Sequence, residues 1–197
     1  MPLVQAWAFA GTSAAAQFGF CVAGAGDLNS DGFSDVAIGA PYQPKIPGSN
    51  NGAVHLFAGG AGGLYATAAS VQQGAASANL GYSVAPAGDV NGDGFADLIA
   101  GAPGSGGGNG AAHLYWGMAA ATLINTTAVT MGGASTEQLG GAVASAGDVN
   151  GDGFADLLLG SPGASSNKGK VQVYAGDAAF AWDAAHRLIS INGSVAS

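Results

Sequence analysis

Basic side chains are scarce in this chain of 197 residues. It has four lysines and arginines against twelve aspartates and glutamates, which gives a formal net charge of −8. A protein that binds nucleic acid or an anionic membrane needs clustered Lys and Arg to neutralise phosphates. Charged residues make up only 8% of the chain, whereas disordered chains are highly charged. The composition therefore indicates a folded protein and excludes nucleic acid as a partner.

Cysteine and long apolar segments are also scarce. Cys21 is the single cysteine, so an internal disulfide is excluded. We expect Cys21 to be a small buried residue of a strand. No apolar run approaches the roughly 18 residues of a membrane span, so we expect no membrane insertion. Residues 1–4 lack the basic and hydrophobic regions of a signal peptide. We therefore expect a processed form or a fragment of a longer protein.

The acidic residues are concentrated in three places. Nine of the twelve lie in three short segments, and no Lys or Arg lies within any of these segments. Carboxylates at close range repel one another, so each segment requires a counter-charge from outside the chain. The three clusters are Asp27, Asp31 and Asp35; Asp89, Asp93 and Asp97; and Asp148, Asp152 and Asp156.

These acidic segments belong to an internal repeat. The segment 26–41 recurs at 88–103 and again at 147–162. The flanks recur as well, because a Phe-Gly or Leu-Gly pair precedes each segment and a glycine-bounded apolar stretch follows it. Self-similarity of this kind indicates duplication of one supersecondary unit.

Each repeat is predicted to form four short antiparallel strands. In the first repeat they cover about 18–24, 35–39, 53–58 and 68–73, bounded by Gly and Pro. Short, evenly spaced strands without a helical period are typical of β-propeller blades. We therefore predict an all-β fold in which a single repeat domain, 1–197, holds three four-stranded antiparallel blades at about 18–74, 80–133 and 139–193. The outer-strand pattern also precedes the first blade, which predicts an extra N-terminal outer strand at 5–11.

Three blades are fewer than the four to eight of a closed propeller, and an open arc exposes two apolar blade faces. Two copies could close a six-bladed ring with two-fold symmetry, as a homodimer. Alternatively, the chain is an excised or designed fragment of a longer propeller, whose remaining blades complete the ring. Because exposed apolar faces need cover, we favour self-association.

The acidic segments have the pattern Asp-x-Asn-x-Asp-Gly-Phe-x-Asp. Ca²⁺ takes six to eight oxygen ligands, and a curled loop offers side chains at positions 1, 3 and 5 and a backbone carbonyl at position 7. The acid at position 9 adds further oxygens, and no Cys or His in the loops suits a softer metal. We therefore predict three Ca²⁺ ions per chain. The predicted ligands are Asp27, Asn29, Asp31, the Phe33 carbonyl and Asp35; Asp89, Asn91, Asp93, the Phe95 carbonyl and Asp97; and Asp148, Asn150, Asp152, the Phe154 carbonyl and Asp156.

The combination of Phe18-Gly19, the acidic loop and Gly39-Ala40-Pro41 resembles the FG-GAP repeat of integrin α-subunit propellers and of many bacterial surface proteins. The sequence departs from that pattern with Leu-Gly pairs in the second and third repeats and with Gly160-Ser161-Pro162. Neither departure changes a predicted ligand. The resemblance implies a scaffold for adhesion or recognition of a protein or glycan ligand, located outside the cell or at its surface, with structural Ca²⁺.

An enzyme, such as a propeller hydrolase, is the rival hypothesis. The sequence contains no Gly-x-Ser-x-Gly, His-Glu-x-x-His or P-loop motif. His55 and His113 occupy matching repeat positions, with Gln172 in the third copy. Catalytic groups normally break repeat symmetry, so we interpret these histidines as scaffold residues and predict no catalytic site.

Overall fold

The computed structural model describes residues 6–45, 49–124 and 129–177, which form three antiparallel sheets. Along the chain each sheet is built in strand order from one repeat. The first sheet contains β1 Cys21–Gly26, β2 Asp35–Ala40, β3 Ala53–Phe57 and β4 Ser70–Gln73. The second contains β5 Ser83–Gly88, β6 Asp97–Ala102, β7 Ala111–Tyr115 and β8 Val129–Gly132, and the third contains β9 Ala142–Gly147, β10 Asp156–Ser161 and β11 Lys170–Tyr174. The all-β prediction of repeated antiparallel blades is confirmed.

The first strand of each blade begins later than predicted. In the first repeat we expected a strand over 18–24, but β1 covers Cys21–Gly26. Gly19 takes a φ of +89°, and the Phe20 amide donates to the Gln17 carbonyl at 3.0 Å. A turn of this kind delays the strand, because a left-handed residue cannot continue a ladder. The other strands of this blade lie within two residues of their predicted positions.

The sheets are stacked face to face, with apolar side chains filling the two interfaces between them. Val54 and Leu56 of the first sheet share a buried cluster with Leu98 and Tyr115 of the second. Ile99 and Leu114, on the opposite face of the second sheet, share another cluster with Leu157 and Leu159 of the third. The strands β1, β5 and β9 contact one another in succession, and they form the inner edge of the stack.

The predicted extra N-terminal strand is not present: residues 6–11, the described part of 5–11, pair with no strand. Among the described residues, no strand lies beside this segment to form a ladder with it. Instead, the rings of Trp7 and Phe9 each lie 5.1 Å from the Phe57 ring, on the outer face of the first blade. The predicted fourth strand of the third blade, near 188–193, lies outside the described residues.

Two four-residue helical turns, α1 Ser105–Gly108 and α2 Ala164–Asn167, connect strands in the second and third blades. Both contain residues with left-handed φ, so they are compact turns rather than regular helices. In the described ranges no helix is long and apolar enough to span a membrane.

Candidate metal centre

Each acidic loop connects the first and second strands of its blade, and the three loops have the same local geometry. The glycine at position 6 has a φ of +91° in Gly32, +88° in Gly94 and +93° in Gly153. An L side chain rarely adopts this conformation. The loops therefore require the glycine in order to turn the chain back toward the second strand.

The carboxylate at position 1 is held inside the loop by backbone amides. In the first loop the two Asp27 oxygens accept hydrogen bonds from the amides of Asp31, at 3.0 Å, and Gly32, at 2.8 Å. Asp89 and Asp148 bind the amides at positions 5 and 6 in the same way. These amides hold the position-1 acid in one orientation in all three loops.

The side chains at positions 3 and 5 are in direct contact. The amide nitrogen of Asn29 donates to Asp31 Oδ2 at 3.0 Å, and the corresponding distances are 2.9 Å for Asn91 to Asp93 and 2.7 Å for Asn150 to Asp152. The other position-5 oxygen accepts the backbone amide of the phenylalanine at position 7, at 2.9 Å in each loop. Positions 1, 3 and 5 thus form one hydrogen-bonded group on an exposed loop.

The acid at position 9 is placed differently. Asp35, Asp97 and Asp156 are fully buried, each with 0% exposure. Asp97 Oδ2 accepts the Val90 amide at 2.9 Å and its Oδ1 accepts the Gly117 amide at 3.0 Å. The other two acids make the same pair of bonds. Each position-9 carboxylate therefore joins the start of its loop to the end of the third strand.

Burial and charge act in opposite directions on these acids. Burial raises the pKa of Asp97 to about 7, although its two amide partners lower it, and the nearby Asp93 and Asp89 charges raise it further. The pKa of Asp35 is raised for the same reasons, burial first. In the exposed third loop, the hydrogen bond from the Gly153 amide lowers the pKa of Asp148. The buried carboxylates are therefore the ones that a nearby cation would stabilise most.

The predicted ligands lie together in each loop, but their side chains are not wrapped around a common point. Within the described residues no three Asp, Glu, His or Cys side chains converge closely enough to hold a metal. The donor set still fits Ca²⁺: it is all oxygen, and a carboxylate oxygen that accepts one hydrogen bond keeps a second lone pair. The side chains at positions 3 and 5 bind each other and would have to turn toward an ion.

Sequence reasoning missed the backbone partners of the position-9 acid. Gly59, Gly117 and Gly176 donate to it from the end of the third repeat strand, 20 to 24 residues along the chain. The signal was present, because a glycine occurs at this place in every repeat. The repeat pattern alone could not show that its amide reaches the loop.

Comparison with known proteins identifies the repeat. The family model described as "FG-GAP repeat" matches residues 22–57, 80–115 and 140–174, one match in each sheet. Each match contains one complete acidic loop with the strands on both sides of it.

The chain is also similar in sequence to several integrin α chains. The chain is 34% identical over 158 residues to integrin alpha-3 of Cricetulus griseus, covering 77% of this chain and 15% of the relative. It is 34% identical over 146 residues to human integrin alpha-7, covering 73% of this chain and 12% of the relative. It is 31% identical over 166 residues to integrin alpha-PS5 of Drosophila melanogaster, covering 80% of this chain and 16% of the relative. The chain thus spans less than a fifth of the length of these relatives.

Proposed function

This chain belongs to the FG-GAP repeat family, whose repeats form β-propeller blades, and from that premise we propose that it is a calcium-binding, non-enzymatic module for adhesion or recognition. The proposal assigns one Ca²⁺ to each acidic loop. Calcium would connect the exposed group at positions 1, 3 and 5 with the position-7 carbonyl and the buried position-9 acid. Its role is structural, since it stiffens the hairpin between the first two strands of a blade.

The observation that carries the proposal is the threefold recurrence of clustered carboxylates without a protein cation. An ion pair joins Lys170 to Glu137 at 3.5 Å, outside the loops, and no Lys or Arg lies within a loop. Asp97 is buried with its pKa raised to about 7. An external divalent cation would offset both the repulsion within the loop and the cost of burying that charge.

The expected stabilisation is modest for one site and substantial for three. Calcium sites in extracellular modules have a Kd of about 10⁻⁴ to 10⁻³ M. At millimolar calcium, binding to the folded state alone then contributes roughly 0.4–1.4 kcal/mol per site. Because a domain is stable by only about 5–15 kcal/mol, three such sites together change the folded fraction measurably.

A location outside the cell or at its surface suits the proposed calcium sites, because calcium is millimolar there and the Kd of extracellular modules matches that concentration. The similarity to integrin α chains supports adhesion or recognition as the function. The ligand would contact the variable connections at 42–51, 104–109 and 163–168, which differ most among the repeats. A protein or a glycan is the proposed ligand class.

Self-association is part of the proposal. Three blades lie below the four to eight of closed propellers, and six is the only multiple of three within that range. Two copies would therefore close a ring. The alternative is that further blades of a longer chain complete it, which the small share of the relatives covered by this chain also supports.

Thermal unfolding in calcium and in EGTA tests the calcium assignment. We expect Tm to fall by roughly 3–15 °C in EGTA, since about 1 kcal/mol corresponds to 2–4 °C in a domain of this size. Asp93→Asn should remove part of the calcium response. Glu137→Gln, which removes a negative charge outside the loops, is the matched control and should keep the full response. An identical Tm in calcium and EGTA contradicts the proposal.

A further inference from the structure

The first junction between blades is made by a short segment inserted into a groove. Residues 79–81 of the second blade lie in a groove of the first, where the Leu80 amide donates to the Asn51 carbonyl at 3.0 Å. The Cys21 thiol donates to the Gly81 carbonyl at 3.0 Å. Gly52 and Leu80 also form a parallel β-bridge. The segment thus joins the two blades by backbone contacts.

The second junction repeats these contacts one blade further on. Residues 138–140 lie in the groove of the second blade, and the Leu139 amide donates to the Asn109 carbonyl at 3.1 Å. The Ser83 hydroxyl replaces the thiol and donates to the Gly140 carbonyl at 2.9 Å. Two independent copies of the same insertion define the way in which these blades associate.

A glycine forms the floor of each groove. A Cβ atom added at Gly39 would collide with the Gly81 carbonyl oxygen, and one at Gly101 would collide with the Gly140 carbonyl oxygen. A larger residue would therefore collide with the inserted segment, and also with the Cys21 or Ser83 side chain of its own blade. Glycine at this position permits the close approach of the next blade.

The third blade has the same groove, and no segment among the described residues inserts into it. Its floor is Gly160, where the atoms nearest to an added Cβ belong to Ala142 of the same blade, at 3.3 Å or more. A cavity of about 510 Å³ lies here, lined by Gly141, Ala142, Gly160, Pro162, Lys168 and Gly169. On the same face Val171 and Val173 are 70% and 56% exposed, whereas their counterparts in the first blade, Val54 and Leu56, are fully buried.

The first blade carries the segment that matches this groove. Residues 17–19 occupy the repeat position of 79–81 and 138–140, and Gln17 and Gly19 are exposed. Trp7 and Phe9 cover the outer part of this face around Phe57. The Phe9 ring also packs on Phe18, with 5.3 Å between the ring centroids, whereas Gln17 and Gly19 on either side of Phe18 stay exposed. One chain therefore contains both halves of a contact that it already makes twice internally.

We infer that residues 17–19 of a second copy insert into the groove at Gly160. This inference rests on the proposed ring closure and specifies the surface that makes it. Each copy would insert its segment into the groove of the other. The resulting two-fold symmetric dimer would have both grooves filled and would contain six blades. The Gly19 carbonyl would then lie against Gly160, as those of Gly81 and Gly140 lie against Gly39 and Gly101.

A second set of groups supports the same pairing. At the first junction the Met118 amide donates to the Leu28 carbonyl at 2.8 Å, and at the second the Asp177 amide donates to the Val90 carbonyl at 3.1 Å. Leu28 and Val90 are fully buried, whereas Val149, their counterpart in the third blade, is 63% exposed. The inserted blade of a second copy would cover Val149 in the same way.

Sedimentation equilibrium of the whole chain in millimolar calcium tests the inference. We expect a species of twice the 18.8 kDa chain mass. Gly160→Ala should raise the dimer Kd at least tenfold, because its Cβ would collide with the Gly19 carbonyl. Its own blade should accept the alanine after a shift of a few tenths of an ångström at Ala142, because Gly160 has no positive φ. The matched control is Gly132→Ala. Gly132 is an exposed strand glycine, and no atom lies within 4 Å of a Cβ added there.

A gain of affinity provides the complementary test. Ala142 occupies the repeat position of Cys21 and Ser83, so Ala142→Ser would add a hydroxyl that donates to the partner's Gly19 carbonyl. One net hydrogen bond predicts a Kd lower by about two- to tenfold. Calcium titration of the same variants separates this inference from the calcium assignment, since neither residue belongs to a loop.

A folded chain that stays monomeric at 100 µM in calcium overturns the inference, and so does a dimer whose Kd is the same in the wild type, Gly160→Ala and Ala142→Ser. The first result would assign the groove to another occupant, and the second would place the dimer contact elsewhere. Loss of calcium binding with an intact, groove-dependent dimer would contradict the proposed calcium role alone.

Discussion

At the scale of single residues, the position-9 aspartates combine two roles that are usually separate. Each is a predicted metal ligand, and each also binds two backbone amides in the interior of its blade. An amide left without an acceptor in a buried site costs about 1–3 kcal/mol. These acids therefore stabilise the hairpin through the two amide hydrogen bonds, without an ion.

Replacing one position-9 acid should reveal this structural role. In EGTA, Asp97→Ala should lower the free energy of unfolding by about 2–4 kcal/mol, because the Val90 and Gly117 amides lose their acceptor. Asp93→Ala, in the exposed part of the same loop, should cost less than about 1 kcal/mol under those conditions. Urea denaturation measures both values. Equal costs for the two variants would mean that the buried bonds do not contribute.

The half-buried histidines His55 and His113 predict a dependence of stability on pH. Burial lowers the pKa of His55 and of His113 below 6.5. A lowered pKa in the folded state means that the unfolded chain binds protons more readily, so stability is present above pH 6.5 and is lost as the pH falls below it. With an unfolded pKa near 6.5, the loss at pH 5.5 is at most about 1.4 kcal/mol per histidine.

Glutamine is the natural substitute at this position, because Gln172 occupies it in the third blade. The double variant His55→Gln, His113→Gln should lose less stability than the wild type between pH 7.5 and 5.5, as measured by urea denaturation at each pH. The loop carboxylates are common to both proteins, so the difference reports the histidines. A loss of the same size in both would contradict the prediction.

At the scale of strands, the sequence predicted most of the architecture. The acidic loop and the Gly-Ala-Pro segment bound β2 on both sides, so β2 was found within one residue of its predicted range. The start of β1 was missed because the turn at Gln17, Gly19 and Phe20 is set by backbone conformation, which an apolar pattern does not reveal. The predicted N-terminal outer strand is not observed over 6–11, because no described strand lies beside this segment to pair with it.

The contacts between sheets should carry much of the stability. Leu98 is fully buried in the first junction, and Leu98→Ala should lower the free energy of unfolding by about 2–5 kcal/mol, as large-to-small core changes do. Val71, on the outer strand β4, is 41% exposed, and Val71→Ala should cost less than about 1 kcal/mol. Both are measured by urea denaturation. A small effect of Leu98→Ala would mean that the blades are stable individually and that their stacking contributes little.

At the scale of the whole molecule, the repeat count predicted an open arc but not which surfaces would complete it. A glycine occupies this position in every repeat, and only the structure shows that Gly39 and Gly101 receive a carbonyl group, whereas no described residue places one at Gly160. Likewise, the spacing of acids predicted the loops, but it could not show that three of the nine carboxylates are buried. Both features depend on contacts between residues far apart in the chain.

In the proposed function, each Ca²⁺ would connect the exposed part of a loop with the buried position-9 acid, and it would thereby stiffen the blade. Native mass spectrometry of the whole chain, titrated with calcium and then with EGTA, measures the number of bound ions directly. We predict three Ca²⁺ ions per chain, all removed by EGTA, and two after Asp93→Asn. A chain that remains free of calcium at millimolar concentration, or that binds the same number of ions after this substitution, would contradict the account.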